Sequence, residues 1–120
     1  MARDFKNIKA WRLADDLAVE VYSSTKSFPK EDLYCITSQL RRAVVSIPTN
    51  IAEGANRESK KEYLYFLNIA SGSVAEVEYL LHLANRLSFL DNSDYKKLEE
   101  LRAETGKTLY GLTASVRKEV

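Results

Sequence analysis

The sequence predicts an all-α protein, an antiparallel up-down-up-down four-helix bundle, from three observations. Apolar residues recur at steps of three and four rather than two along the chain. Only 4 Gly and 2 Pro occur in 120 residues, so few positions favour a break in a helix. The breaks between the apolar stripes are short, and short links between long helices make neighbours antiparallel. The length predicts a single domain over residues 1–120.

We predict helices over residues 6–26, 31–55, 59–89 and 93–118. The first stripe runs from Ile8 to Tyr22 and stops at a Ser-Phe-Pro-Lys break. The second runs from Ile36 to Ile51 and contains Pro48, whose ring removes one helical hydrogen bond. Two separate helices around Pro48 are the alternative, but the stripe keeps its phase across the proline and favours one bent helix.

Capping signals mark the starts of the last two helices. Ser59 followed by Glu62 is a capping box before the heptad-like third stripe, which runs over residues 63–84. Asp91, Asn92 or Ser93 can cap the fourth helix.

Composition and motifs disfavour several classes of function. The single cysteine, Cys35, excludes an intramolecular disulfide and fits a reducing compartment, and we expect a small buried thiol. The Glu-x-x-His pairs of di-iron bundles are absent, and the lone His82 is interpreted as a surface contact of Glu78. No phosphate-binding loop occurs. We therefore predict no cofactor, no metal and no enzymatic activity.

The chain also lacks the features of a membrane or exported protein. No apolar run approaches the roughly 20 residues of a membrane span. The first residues are interrupted by charges every few positions, unlike a signal peptide. We expect a cytoplasmic protein with no membrane partner.

Two helix faces are candidates for contact with another molecule. On the second helix a polar face is either solvated or a contact surface for another subunit or for nucleic acid; it contains Gln39, Arg42, Ser46, Thr49 and Glu53. On the third helix, Glu76 lies in a second apolar strip, where a carboxylate needs a partner unless it reaches solvent. The small residues Gly72 and Ser73 would let another helix approach. Together these features predict oligomerisation through the second and third helices.

Charge placement predicts a basic end. In the up-down topology the N-terminus, the second loop and the C-terminus meet at one end of the bundle. Within residues 1–14, 50–66 and 108–120, nine Lys and Arg face five Asp and Glu, a net charge of +4 in a chain of +1. The nine cations are Arg3, Lys6, Lys9, Arg12, Arg57, Lys60, Lys61, Arg117 and Lys118. One interpretation is that these cations form a patch that binds phosphates. The alternative is that they are scattered over the surface and serve only solubility.

The segment FPKEDLYCITSQLRRAVVSIPTNIAEGANRESKKEYLYFLNIASGSVAEVEYLL resembles the signature of a bacterial four-helix-bundle family encoded within intervening sequences of 23S ribosomal RNA genes. The resemblance extends from about Phe5 to Arg117. Members are similar to the accessory variability determinant of diversity-generating retroelements, a relative implicated in binding nucleic acid together with a reverse transcriptase. The resemblance implies homopentameric rings with a basic surface and no established enzymatic activity.

The motif carries over to individual positions of this sequence. They are Gln39, Arg41, Arg42, Ser46, Pro48, Asn50, Glu53, Gly54, Gly72, Ser73 and Glu76. Two positions depart from the pattern: Cys35 stands where glycine is common, and Ser71 where an arginine is expected. The lost arginine weakens the implied nucleic-acid binding more than the implied fold.

The leading hypothesis is a homo-oligomer, a pentamer by resemblance, that binds RNA or DNA through phosphate contacts. The predicted nucleic-acid contacts are Arg57, Lys60, Lys61, Arg41 and Arg42, with Arg3, Lys6, Lys9 and Arg12 as secondary contacts. The predicted oligomer contacts are Gln39, Ser46, Glu53, Gly72, Ser73 and Glu76. The alternative is an interaction module that docks a protein partner and binds no nucleic acid.

Overall fold

The computed structural model describes residues 3–120, which fold into an antiparallel bundle of four α-helices. They are α1 (Lys9–Thr25), α2 (Ser38–Ala55), α3 (Lys60–Arg86) and α4 (Asn92–Arg117). The body measures 45 × 23 × 20 Å. The 27 residues of α3 span about 40 Å at 1.5 Å per residue, nearly the full length of the molecule. The predicted all-α, up-down-up-down architecture is confirmed.

The N-terminal segment differs from the predicted helix over residues 6–26. A 3-10 turn at Phe5–Asn7 comes first, and Ile8 then adopts extended backbone angles (φ −86°, ψ 119°) before α1 begins. Asp4 stabilises the turn because its carboxylate accepts a hydrogen bond from the Lys6 backbone N–H at 3.1 Å. Phe5 packs edge-on against Trp11, with ring centroids 4.9 Å apart. The predicted start of the first helix was therefore three residues early.

The largest departure from prediction lies before α2. A 3-10 turn at Lys30–Asp32 and a π-helical turn at Leu33–Thr37 replace the predicted regular helix, with Cys35 outside helical geometry (φ −116°, ψ −108°). The expectation that Cys35 is buried was wrong, since its side chain is exposed. The wider turn directs Ile36 and Thr37 into the core and leaves Cys35 on the outer side.

Pro48 does not divide α2. The helix runs through it from Ser38 to Ala55, as predicted, although Pro48 supplies no N–H to the preceding turn. In the same turn, the Asn50 side-chain amide donates to the carbonyl oxygen of Ser46 at 2.8 Å. The break in helical geometry is at Cys35 instead.

Both predicted caps are present. The Ser59 hydroxyl accepts a hydrogen bond from the Glu62 N–H at 3.2 Å, and Asp91 accepts one from the Asp94 N–H at 2.8 Å. Of the three candidates for the last cap, Asp91 is therefore the residue used. The third helix ends at Arg86, and Ser88 follows in the left-handed region (φ 63°).

The four predicted stripes form one core. Its largest fully buried apolar side chains come from all four helices: Leu17, Val21, Leu40, Val44, Ile47, Ile51, Leu67, Val77, Leu81 and Leu109. At the rim, Arg102 of α4 pairs with Glu99 on its own helix and with Glu78 of α3 at 3.3 Å. The predicted contact of Glu78 with His82 is therefore replaced, and His82 lies exposed beside Tyr79.

Gly54 allows α2 and α3 to approach closely where the two helices meet. A Cβ atom at this position would lie 2.8 Å from Cβ of Phe66 and 3.0 Å from Cδ1 of Tyr63. The first of these atoms is fixed to the backbone of α3, so relief would require the helices to separate.

We expect Gly54→Ala to lower the free energy of unfolding by about 1–2 kcal/mol, because overpacking outweighs the gain in helix propensity. Gly111→Ala is the matched control, since a Cβ there meets nothing within 4 Å. It should raise stability by up to about 1 kcal/mol. Urea denaturation measures both, and a Gly54→Ala protein as stable as wild type would contradict this account.

Candidate nucleic-acid interface at one end of the bundle

Three chain segments meet at the end of the bundle formed by the α2–α3 link. The backbone N–H of Arg3 donates to the carbonyl oxygen of Ala55 at 3.3 Å, and its guanidinium donates to that of Arg57 at 2.9 Å. Lys60 joins the start of α3 to the C-terminal segment through a 2.7 Å ion pair with Glu119. The predicted meeting of these segments is confirmed, and we call this region, with its nine cations named above, the basic end.

Two arginines of the basic end lie over aromatic rings. The guanidinium carbon of Arg3 is 4.3 Å from the centroid of Tyr63, and that of Arg57 is 4.9 Å from Phe66. Both aromatic residues belong to the first two turns of α3. Stacking on a ring holds each arginine side chain in place, and it does not itself neutralise the positive charge.

Ion pairs within the chain compensate two of the cations. Arg57 pairs with Glu53 at 3.6 Å, and the Lys60 ammonium donates a hydrogen bond to Glu119. That hydrogen bond holds the pKa of Glu119 below its ordinary value, so Glu119 stays charged and paired at neutral pH.

The other lysines and arginines of the basic end form no ion pair with the described residues. Within residues 3–120, six of them are exposed and have no carboxylate within 4.0 Å: Lys6, Lys9, Arg12, Lys61, Arg117 and Lys118. Arg117 and Lys118 were counted in the charge of this end but not among the predicted contacts. Their position beside the α2–α3 link makes them part of the same surface.

Arg41 and Arg42 do not belong to the basic end. They lie in the first turns of α2, about 20 Å from its other end at 1.5 Å per residue. The Nε of Arg41 donates to the Thr25 hydroxyl at 2.9 Å, next to the α1–α2 link. That link shares its end of the bundle with the α3–α4 link, as the packing of Phe28 against Phe89 shows. The nine predicted contacts are thus divided between two opposite ends.

The predicted oligomer contacts are likewise divided. Ser46 and Ser73 face each other inside the chain, where the Ser73 hydroxyl donates to that of Ser46 at 2.8 Å between α3 and α2. Gln39, Glu53, Gly72 and Glu76 are exposed, and Gly72 has open space beside it. The sequence did not distinguish the two sets because serine serves equally well in a helix–helix contact and on a polar face.

Metal-ligand clusters and membrane-spanning helices are both absent from residues 3–120. In this range, no group of three His, Cys, Asp or Glu side chains is arranged to hold a metal ion. None of the helices in it combines the length and apolarity needed to cross a membrane.

These features define a small four-helix-bundle protein with a basic end. The chain belongs to a family described as 23S rRNA-intervening sequence protein, whose pattern it matches over residues 6–111. The predicted membership is thereby confirmed. No curated protein sequence matches this chain.

A solved structure supports the fold independently. It is a protein of unknown function from the S23 ribosomal protein family of Bacteroides thetaiotaomicron, 23% identical in sequence, with a TM-score of 0.78. The match covers 87% of this chain and 97% of that one. At this level of identity the likeness establishes the shared bundle and no more.

Tyr63, beneath Arg3, makes the basic end sensitive to high pH. Burial raises the pKa of the Tyr63 phenol, and the neighbouring Arg3 opposes this only in part. The folded protein then holds the phenol proton more tightly than the unfolded chain, where the pKa is about 10. The stability contributed by Tyr63 is complete below about pH 10 and is lost as the pH rises toward the folded-state pKa.

We therefore expect the free energy of unfolding to decline less between about pH 9 and 11 in Tyr63→Phe than in wild type. Tyr110→Phe removes the same hydroxyl from an exposed position and should keep the wild-type decline. Urea denaturation at each pH gives the comparison. Parallel curves for wild type and Tyr63→Phe would contradict the assignment.

Proposed function

We propose that this chain is a non-enzymatic protein that assembles with copies of itself and binds RNA, or another nucleic acid, through phosphate contacts from the basic end. The observation that carries the proposal is the set of six cations gathered there from three chain segments, all exposed and without an ion-pair partner in residues 3–120. Cations without carboxylate partners are free to displace the counterions of a phosphate backbone. The exposed free thiol of Cys35 is compatible with the reducing cytoplasm, where we place the protein.

The geometry of the basic end favours phosphate contact over base reading. Its free cations are mostly lysines on helix ends and links, which act as mobile point charges. The aromatic ring beneath Arg3, that of Tyr63, is buried and offers no exposed face for a base. Binding of this kind depends strongly on salt and weakly on sequence.

An exposed apolar face on α3 supports the assembly part of this proposal. The outer face of α3 exposes Tyr65, Ile69 and Leu87 to 62%, 37% and 49%, and Glu76 lies on this face without an ion-pair partner in residues 3–120. Covering it with another copy would remove apolar surface from water and give Glu76 a partner. A ring of parallel copies, five by the family resemblance, would place several basic ends on one face.

Removing free cations should weaken RNA binding. The test variant is Lys61→Gln/Arg117→Gln/Lys118→Gln, and its control is Lys96→Gln/Lys97→Gln/Lys107→Gln, which removes the same number of charges from α4 outside the basic end. Anisotropy of a labelled single-stranded RNA at 50 and 200 mM salt measures affinity. We expect a loss of about tenfold or more at low salt and a shallower salt dependence, by about 0.7 in log–log slope per lost contact.

The control variant should bind like wild type. Equal losses in both variants would show that only total charge matters and would reject the basic end as the site. Salt-insensitive binding, or none by the assembled protein, would favour the alternative, a module that docks a protein through the outer face of α3.

The assembly is tested by Glu76→Lys. The substitution places a cation on the outer face of α3 and removes the carboxylate that would pair with the neighbouring copy. We expect the oligomer to dissociate, as measured by native mass and sedimentation. Glu104→Lys makes the same charge change on α4 and should keep the wild-type mass. Circular dichroism verifies that both variants remain helical. A Glu76→Lys protein of unchanged mass would remove Glu76 from the interface.

A further inference from the structure

A second cationic site lies at the opposite end of the bundle. The end of α1, the α1–α2 link and the π-helical turn line a half-open cavity of about 250 Å³. One wall is apolar and consists of Phe28, Pro29 and Leu33. The remaining lining residues are two threonines and three cations, with no carboxylate among them.

Thr37, in the wall of this cavity, has a buried hydroxyl without a hydrogen-bond partner in residues 3–120. The other buried threonines, Thr25, Thr105 and Thr113, each bond to the carbonyl four residues earlier at 2.8 Å. The π-helical turn denies Thr37 this bond because it displaces that carbonyl, which belongs to Leu33. A buried hydroxyl without a partner is costly, so a group from outside the chain that bonds to it would be favoured.

Arg41 is held in place by Thr25 and Tyr22, and its two terminal nitrogens remain available as hydrogen-bond donors. Its Nε donates to the hydroxyl of Thr25, and its guanidinium carbon lies 4.8 Å from the centroid of Tyr22. Its two terminal nitrogens donate to no group of residues 3–120, and no carboxylate pairs with it there. Lys26 and Lys30 line the same cavity and are likewise unpaired in that range. Three cations without an anion favour a ligand that carries more than one negative charge.

An aromatic surface adjoins the cavity. A shallow groove shares Leu33 and Arg41 with it and contains Tyr22 and Tyr34. Tyr34 is 89% exposed, the most exposed of the large apolar and aromatic side chains in the described chain. An exposed ring beside a cationic pocket provides a stacking face for a base whose phosphate occupies the pocket.

We infer that this cavity binds the terminal phosphate of a nucleotide. Arg41 contributes the guanidinium contact, Thr37 the hydroxyl contact, and Lys26 and Lys30 the remaining charge. A phosphomonoester, at about −1.5 to −2 near neutral pH, balances these cations better than a single carboxylate does. The base stacks on Tyr34. The inference extends the proposed nucleic-acid function to the end of the bundle opposite the basic end.

The experiment uses 5′-AMP, adenosine and acetate as probes, with affinity from calorimetry and position from amide NMR shifts. We expect AMP to bind, to move the amides of residues 25–41, and to bind at least tenfold more tightly than adenosine or acetate. Arg41→Gln should lower AMP affinity about tenfold, and Lys30→Gln, on an exposed side chain that leaves the fold intact, about threefold.

Thr37→Val separates a ligand contact from a structural role. Replacing an unpartnered buried hydroxyl with a methyl group should leave the melting temperature of the free protein unchanged or higher, and yet lower AMP affinity about threefold. The matched control is Lys61→Gln/Arg117→Gln/Lys118→Gln, which should retain AMP binding even where RNA binding is lost.

Several results would overturn the inference. They are equal affinity for AMP and adenosine, amide shifts confined to the basic end, and AMP binding unaffected by both Arg41→Gln and Lys30→Gln. Loss of AMP binding in the basic-end control would do the same. RNA binding that fails while AMP still binds would reject the proposed function alone, so the two failures are distinguishable.

Discussion

The contact between α2 and α3 fixes the position of the basic end. Gly54 brings the end of α2 against the first turns of α3, where Tyr63 and Phe66 lie. Those two rings in turn support Arg3 and Arg57. The same packing holds the Ser46–Ser73 pair midway along the helices. A small residue at one crossing point therefore positions the arginines of the basic end.

The protein is nearly neutral, and its electrostatic character depends on arrangement. Its acidic and basic side chains almost cancel in number. Carboxylates are concentrated along the groove between α1 and α4, which contains Asp16, Glu20, Glu100 and Glu104. The basic end has a surplus of cations, of which Arg57 and Lys60 alone form ion pairs among the described residues. Opposite signs on separate surfaces of one small body orient a charged partner more effectively than net charge does.

Much of this organisation was predictable from the sequence, because apolar periodicity and capping residues act locally. The stripes, the caps at Ser59 and Asp91 and the continuity of α2 across Pro48 all follow from residues within one or two turns. The basic end was predictable too, since the up-down topology alone decides which segments meet. The π-helical turn was not, because its one-residue shift at Cys35 leaves the core positions Ile36 and Leu40 apolar in either register. Ion pairs between helices, such as Arg102 with Glu78, depend on how each helix is rotated about its axis, and sequence spacing does not reveal that rotation.

The π-helical turn and the regular helix that follows it bring Thr37 and Arg41 into the wall of one cavity. An uninterrupted helix over residues 31–55 would offer Thr37 the carbonyl four residues earlier, as Thr25, Thr105 and Thr113 have. The turn instead leaves the Thr37 hydroxyl, in the wall of the cavity, without a hydrogen-bond partner in the described part of the chain, while the regular helix that follows places Arg41 over Tyr22. Arg42, one position on, is exposed on the outer face of α2. A buried unsatisfied hydroxyl and a local loss of helical bonding both cost stability, and such costs are found where backbone irregularity serves a site. The irregular turn thus accounts for the unpartnered hydroxyl beside Arg41 at the end of the bundle opposite the basic end.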